Sequence, residues 1–101
     1  MSNFTQSKEL LNFEEDYLIT DSTLPNWLVS LLCPAVTTSS FTYHLVTYDN
    51  LISARKKLIK FITNPTTNTT SEDNSTIGKY LDLILSSIVA CNEGKLVWLY
   101  H

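Results

Sequence analysis

Apolar residues recur at steps of three and four along most of the chain, and that period predicts helices. Over Ser7 to Ile19 the repeating positions are Leu10, Phe13, Tyr17 and Leu18, with Ser7 placed to cap the start. Ser22-Thr23-Leu24-Pro25 then reads as the start of a second helix, because Ser or Thr accepts a free backbone N–H and proline is tolerated in a first turn. Trp27, Leu28, Leu31 and Leu32 form its stripe, and Pro34 keeps it short by disfavouring helix at Cys33.

The best pattern runs through Phe41, Leu45, Tyr48, Ile52, Arg55, Ile59 and Ile62, widened by Leu51 and Leu58, with Ser39 and Ser40 as candidate caps. From Asp49 onward it predicts a helix. Residues 41–48 also suit a strand, because Thr42 to Tyr48 is rich in β-branched and aromatic side chains. One long helix is preferred, since its register continues across that stretch. Asn64 to Asn74 has no large apolar residue and reads as a flexible polar loop. The last helix is expected from about Thr76 to Cys91, capped by Asn74 or Ser75. Its broad face holds Ile77, Tyr80, Leu81, Ile84, Leu85, Ile88 and Cys91, a width that suggests cover on more than one side. Gly94 ends it, and Leu96 to Tyr100 reads as a short strand.

These elements predict a mainly α fold: about four helices with one or two short β-strands near the C-terminus. The expected organisation is one small helical domain over 1–101, or the N-terminal part of a longer helical scaffold, with 64–74 as its polar loop. The sequence stops at His101, just past the aromatic strand. A strand edge needs a partner, so this strand is expected to pair inside the fold, to pair with another chain, or to belong to a fragment of something longer.

Composition narrows the function classes. The chain has 101 residues, 44% hydrophobic and 17% charged, apolar enough for a core and too apolar for a disordered chain. A net charge of −3 leaves no basic excess for general nucleic-acid binding. No apolar run reaches membrane-span length, and Met1 to Asp16 lacks the pattern of a secretory leader, so the expectation is a cytoplasmic protein. Three sequons, at Asn3, Asn68 and Asn74, then read as products of an Asn/Ser/Thr-rich composition.

Candidate chemistry is sparse. Cys33 and Cys91 match no metal or redox spacing and read as small buried residues. His44 and His101 are the only histidines, the first in an apolar-aromatic stretch and the second terminal. Glu14, Glu15 and Asp16 are consecutive, so on a helix they fan apart. No nucleophile has a base at hand, and no ligand spacing suggests a metal or other cofactor. The expectation is a protein that is not an enzyme. Arg55, Lys56, Lys57 and Lys60 cluster late in the third helix, where cations complement the carbonyl end of the helix dipole. They read as a charged outer face or, more sharply, as a surface for an acidic partner or lipid headgroups. With Trp98 and Tyr100 of the strand, they are the candidate partner contacts.

A further order of features lies between Tyr48 and Trp98. Arg55-Lys56-Lys57-Leu58 sits on one helix and a polar loop follows. Tyr80-Leu81 sits on the next helix, and Ser87-Ile88-Val89-Ala90-Cys91 precedes the strand Leu96-Val97-Trp98. This segment resembles the N-terminal part of Bro-type domains, especially the fungal PalC-like group. The resemblance implies an elongated helical scaffold with a small β-element that binds a helix of an ESCRT-III subunit and serves fungal ambient-pH signalling at endosomal or cortical membranes. Such domains are several times longer than this chain, and their ESCRT-binding surface is built largely from later helices, so no binding residue is carried over. The leading expectation is thus a non-catalytic protein-interaction scaffold, ESCRT-associated and peripheral to endosomes. The alternatives are a small structural subunit of a larger eukaryotic complex, or a small ligand-binding or enzymatic domain.

Overall fold

The computed structural model describes residues 11–21, 23–34 and 42–101. It contains strand β1 (Tyr17–Ile19), helix α1 (Asn26–Leu32), strand β2 (Tyr43–Val46), helix α2 (Tyr48–Thr63), a 3-10 turn (Pro65–Thr67), helix α3 (Asn74–Asn92) and strand β3 (Val97–Tyr100). The three strands form one mixed sheet in the order β1-β3-β2. The architecture is therefore α/β, with three helices and three strands, and the expectation of about four helices with one or two strands is corrected.

Two segments account for the correction. Over 11–19 the expected first helix is absent. Asp16 instead closes a tight turn by accepting the Asn12 N–H at 2.9 Å, and Tyr17-Leu18-Ile19 runs extended beside β3, pairing parallel with Val97-Trp98-Leu99. Ser7 and Leu10 lie outside the described residues. Over 43–46 the strand reading prevails: Tyr43, His44, Leu45 and Val46 pair antiparallel with Tyr100, Leu99, Trp98 and Val97. β-Branched and aromatic side chains fit a half-buried pleated surface, and the neighbouring strand supplies that surface. Helix α2 accordingly starts at Tyr48, where the Thr47 hydroxyl accepts the Asn50 N–H at 3.2 Å. Ser39, Ser40 and Phe41 lie outside the described residues.

The remaining elements form where the sequence places them, with two corrections. Pro25 itself is the N-cap of α1, with no side-chain cap, and Ser22 lies outside the described residues. The buried face of α2 is Leu51, Ala54, Leu58 and Phe61, while Tyr48 is exposed and Ile52, Arg55, Ile59 and Ile62 are only half-buried. Helix α1 ends at Leu32, just before Cys33-Pro34, and the Asn50 amide donates to the Leu32 carbonyl, tying α1 to the first turn of α2. Asp73 caps α3 by accepting the Thr76 N–H at 2.8 Å, one residue earlier than the expected caps. Gly94, with φ of +86°, takes the left-handed conformation after that helix.

The helices cover one face of the sheet. Ile19, Val46, Val97 and Leu99 point into a core shared with Leu28, Leu32, Leu51, Leu58, Ile77 and Ile84. Strand alternation turns Trp98 and Tyr100 to the other face, where the Tyr43 ring lies 5.0 Å from Tyr100 and 5.5 Å from Phe13. Helices α2 and α3 make the most extensive contact in the fold. Leu51, Ala54, Leu58 and Phe61 from α2 meet Ile77, Tyr80, Ile84 and Ile88 from α3, all buried. The apolar face of α3 is wider than this seam, and Leu85 and Val89 stay 38% and 55% exposed.

Two stability outcomes follow. Ile84→Ala should destabilise by about 2–5 kcal/mol, as for a fully buried aliphatic side chain, whereas Lys57→Ala should change stability by less than about 0.5 kcal/mol; urea denaturation of both variants checks the ranking. The second concerns Asp73, whose carboxyl is held below its ordinary value first by the Thr76 N–H and then by the Thr76 hydroxyl. A depressed folded-state pKa stabilises above the unfolded value of about 3.9, and that stabilisation is lost as pH falls through the lower folded value. The stability difference between wild type and Asp73→Asn should therefore be constant near neutrality and should change only below about pH 4.

Candidate functional site

The exposed side of α2 and the turn after it enclose a groove of about 590 Å³. Ser53, Lys56, Lys57 and Lys60 share one helical face, turned away from the buried positions Leu51, Ala54 and Leu58, and the Phe61 ring lies beneath them as the groove's floor. Thr67 and Thr69 supply the other wall. The chain folds back here because the orphan carbonyls at the end of α2 find donors within the next turn. The Lys60 carbonyl accepts Asn64 N at 2.9 Å and the Thr67 hydroxyl at 3.3 Å. Asn68 then holds the following loop: its side-chain oxygen accepts Thr70 N and the Thr70 hydroxyl, and its NH2 group donates to the Glu72 carbonyl.

The groove is electrostatically one-sided. Lys56, Lys57 and Lys60 are exposed, and no carboxylate lines it. Among the described residues the one ion pair is Lys95–Glu93 at 3.5 Å, so none of the groove cations is paired with a described carboxylate. The Lys57 ammonium lies 6.0 Å from the Phe61 ring centre, at the outer limit of a cation–π contact. Phe61 in turn meets Trp27 edge-on at 6.0 Å, which fixes the floor against the core.

The six candidate contact residues separate. Lys56, Lys57 and Lys60 are brought together. Arg55 is half-buried on another side of α2 and does not line the groove. Trp98 is only 4% exposed, and its indole N–H donates to Asp16 at 2.9 Å, so it offers no side-chain surface. Tyr100 is 36% exposed on the sheet face away from the helices. The hydroxyl residues were missed by sequence reasoning. Ser53 carried a signal, lying three residues before Lys56 and four before Lys57 on a helix. Thr67 and Thr69 carried none, since only the reversal after Asn64 places them here.

A second cleft, of about 470 Å³, lies between the segment after β1 and the start of α3. Its charges are mixed: Asp21, Lys79 and Asp82 all line it. Burial, then the charges of Glu72 and Asp21, raise the Tyr80 hydroxyl there, so it stays protonated at neutral pH. His44 Nε2 lies 3.4 Å from the His101 carbonyl oxygen. Among the described residues no group of three His, Cys, Asp or Glu side chains is placed to hold a metal ion, and no helix is long and apolar enough to cross a membrane.

No family model, curated protein or solved structure matches the chain.

The thiols have a measurable consequence. Both cysteines are free, and burial pushes the Cys33 thiol up to about 11. The thiolate is the reactive form, so at pH 8 native Cys33 should alkylate roughly two orders of magnitude more slowly than in the urea-unfolded chain. Mass spectrometry after timed iodoacetamide treatment reads the ratio.

Proposed function

We propose that this chain is a non-catalytic protein-interaction module that docks an acidic segment of a partner protein in the groove beside α2. The observation that carries the reading is the segregation of charge. The whole chain is acidic, with 10 acidic and 7 basic residues, yet Lys56, Lys57 and Lys60 share one groove without a carboxylate of their own. Unneutralised cations on one wall of a concave surface favour an anionic ligand and steer its approach. The hydroxyls of the wall add hydrogen-bond capacity suited to carboxylates.

A protein segment fits better than a membrane surface. The large apolar residues that stand exposed, such as Leu45, Tyr48 and Val89, lie outside the groove, so among the described residues no exposed apolar side chain beside the lysines would insert into lipid. On the resemblance to Bro-type domains the partner is an ESCRT-III subunit and the setting cytoplasmic and endosomal. Of the residues that carry that resemblance, Leu58, Tyr80 and Trp98 are buried and Lys56 and Lys57 line the groove. A second reading, a structural subunit of a larger complex, draws on Leu85 and Val89, whose exposure another chain would remove.

The test uses a fluorescein-labelled hexaglutamate peptide and fluorescence anisotropy. Wild type should bind with an affinity that falls as salt rises. A pair of solvent-exposed charges at close range is worth about 1 kcal/mol, so the triple change of Lys56, Lys57 and Lys60 to Gln should weaken binding by about tenfold to a hundredfold. Lys95→Gln, outside the groove, should have no effect. Equal binding by all three proteins would refute the docking site.

A further inference from the structure

We infer that Thr69 is a phosphorylation site and that its phosphate closes the basic groove against an acidic partner. The inference rests on the docking reading above and names its regulation. On the loop wall the Thr67 hydroxyl is engaged, and so is that of Thr70 next to the wall. Thr67 donates to the Asn64 carbonyl at 2.8 Å, and Thr70 donates to the Asn68 side chain at 2.6 Å. The Thr69 hydroxyl makes no hydrogen bond among the described residues, and Thr69 is exposed and outside any helix or strand. A kinase needs such a free, exposed hydroxyl outside regular secondary structure, and Thr69 offers one. Ser53, the remaining hydroxyl of the groove, sits within α2 and cannot present one.

The sequence after Thr69 fits the same role. Glu72 stands three residues on and Asp73 four, the spacing that acid-directed protein kinases read. The Thr69 oxygen takes the γ-phosphoryl group of a nucleoside triphosphate. A new P–O bond forms, the bond to the nucleoside diphosphate breaks, and the hydroxyl proton passes to the kinase's base. The product carries about −1.5 to −2 charges at pH 7 and three acceptor oxygens. It stands on the wall facing Lys56, Lys57 and Lys60, which have no carboxylate partner among the described residues. The intramolecular phosphate has no translational freedom left to lose on pairing, so it outcompetes a dilute acidic peptide for the same cations.

The full chain is incubated with an acid-directed kinase and magnesium–ATP, and the modified residue is mapped by mass spectrometry. Phosphate on Thr69 is expected; modification confined to other residues overturns the assignment. Unmodified and phosphorylated chains are then titrated with the labelled hexaglutamate peptide. The phosphorylated chain should bind at least about tenfold more weakly. An unmodified chain that does not bind defeats the docking reading. An unmodified chain that binds, with affinity untouched by the phosphate, defeats only the closure. A second readout stands apart from the peptide. Lysines near the phosphate favour its dianion, so the 31P titration midpoint should fall below the ordinary value of about 6 and return toward it with Lys57 and Lys60 changed to Gln. A midpoint identical in the folded and urea-unfolded chains overturns the pairing.

Discussion

Strand β3 pairs on both sides, and the rest of the structure depends on that. Its parallel partner comes from the start of the described chain and its antiparallel partner from the middle, so a four-residue strand joins segments far apart in sequence. The entropic cost of closing such loops grows only with the logarithm of their length. Hydrogen bonds alone give little net stabilisation, and what holds the sheet is the burial of Val97 and Leu99 beneath the helices. On the opposite face the Asp16 carboxylate receives both the Asn12 N–H and the Trp98 indole N–H. One side chain thereby shapes the turn before β1 and satisfies the buried donor of β3.

The groove is a consequence of how α2 divides its circumference. One side is committed to α3 by residues at steps of three and four, so the lysines interspersed among them are forced outward together. The end of the helix then satisfies its own carbonyls by turning back, and this lays Thr67 and Thr69 along the lysine face. Stability and the candidate site thus arise from one helix without competing: core packing decides which residues face inward, and the C-terminal turn gives the outward face a second wall.

Charge distinguishes the two concave regions. The cleft by Asp21, Lys79 and Asp82 carries charges of both signs, two carboxylates to one ammonium. The groove by α2 presents cations only, on a chain whose overall charge is −3. An unbalanced local field on an oppositely charged molecule attracts a ligand and also makes the site sensitive to added phosphate. The same physical feature therefore supports docking and its control.

Local chemistry was enough for the helical part. The three- and four-residue spacing of Tyr48, Ile52, Arg55, Ile59 and Ile62, and of Ile77, Tyr80 and Ile84, identified α2 and α3. Pro34 and Gly94 marked ends, and the cluster at Lys56, Lys57 and Lys60 was visible as a charged face. Those signals act within a turn or two of helix, so they need no tertiary partner. The strands were different. Tyr17-Leu18-Ile19 and Tyr43 to Val46 both fit a helical repeat, and they are extended because β3 lies between them. Likewise Thr67 and Thr69 reach the lysines only through a reversal of the chain. The sequence by itself located the three helices that form, over-reading two further segments as helical and centring the stripe of α2 one position away from its buried face; tertiary pairing decided which apolar segments became strands, because a strand acquires its hydrogen bonds only from a neighbour that the local pattern does not contain.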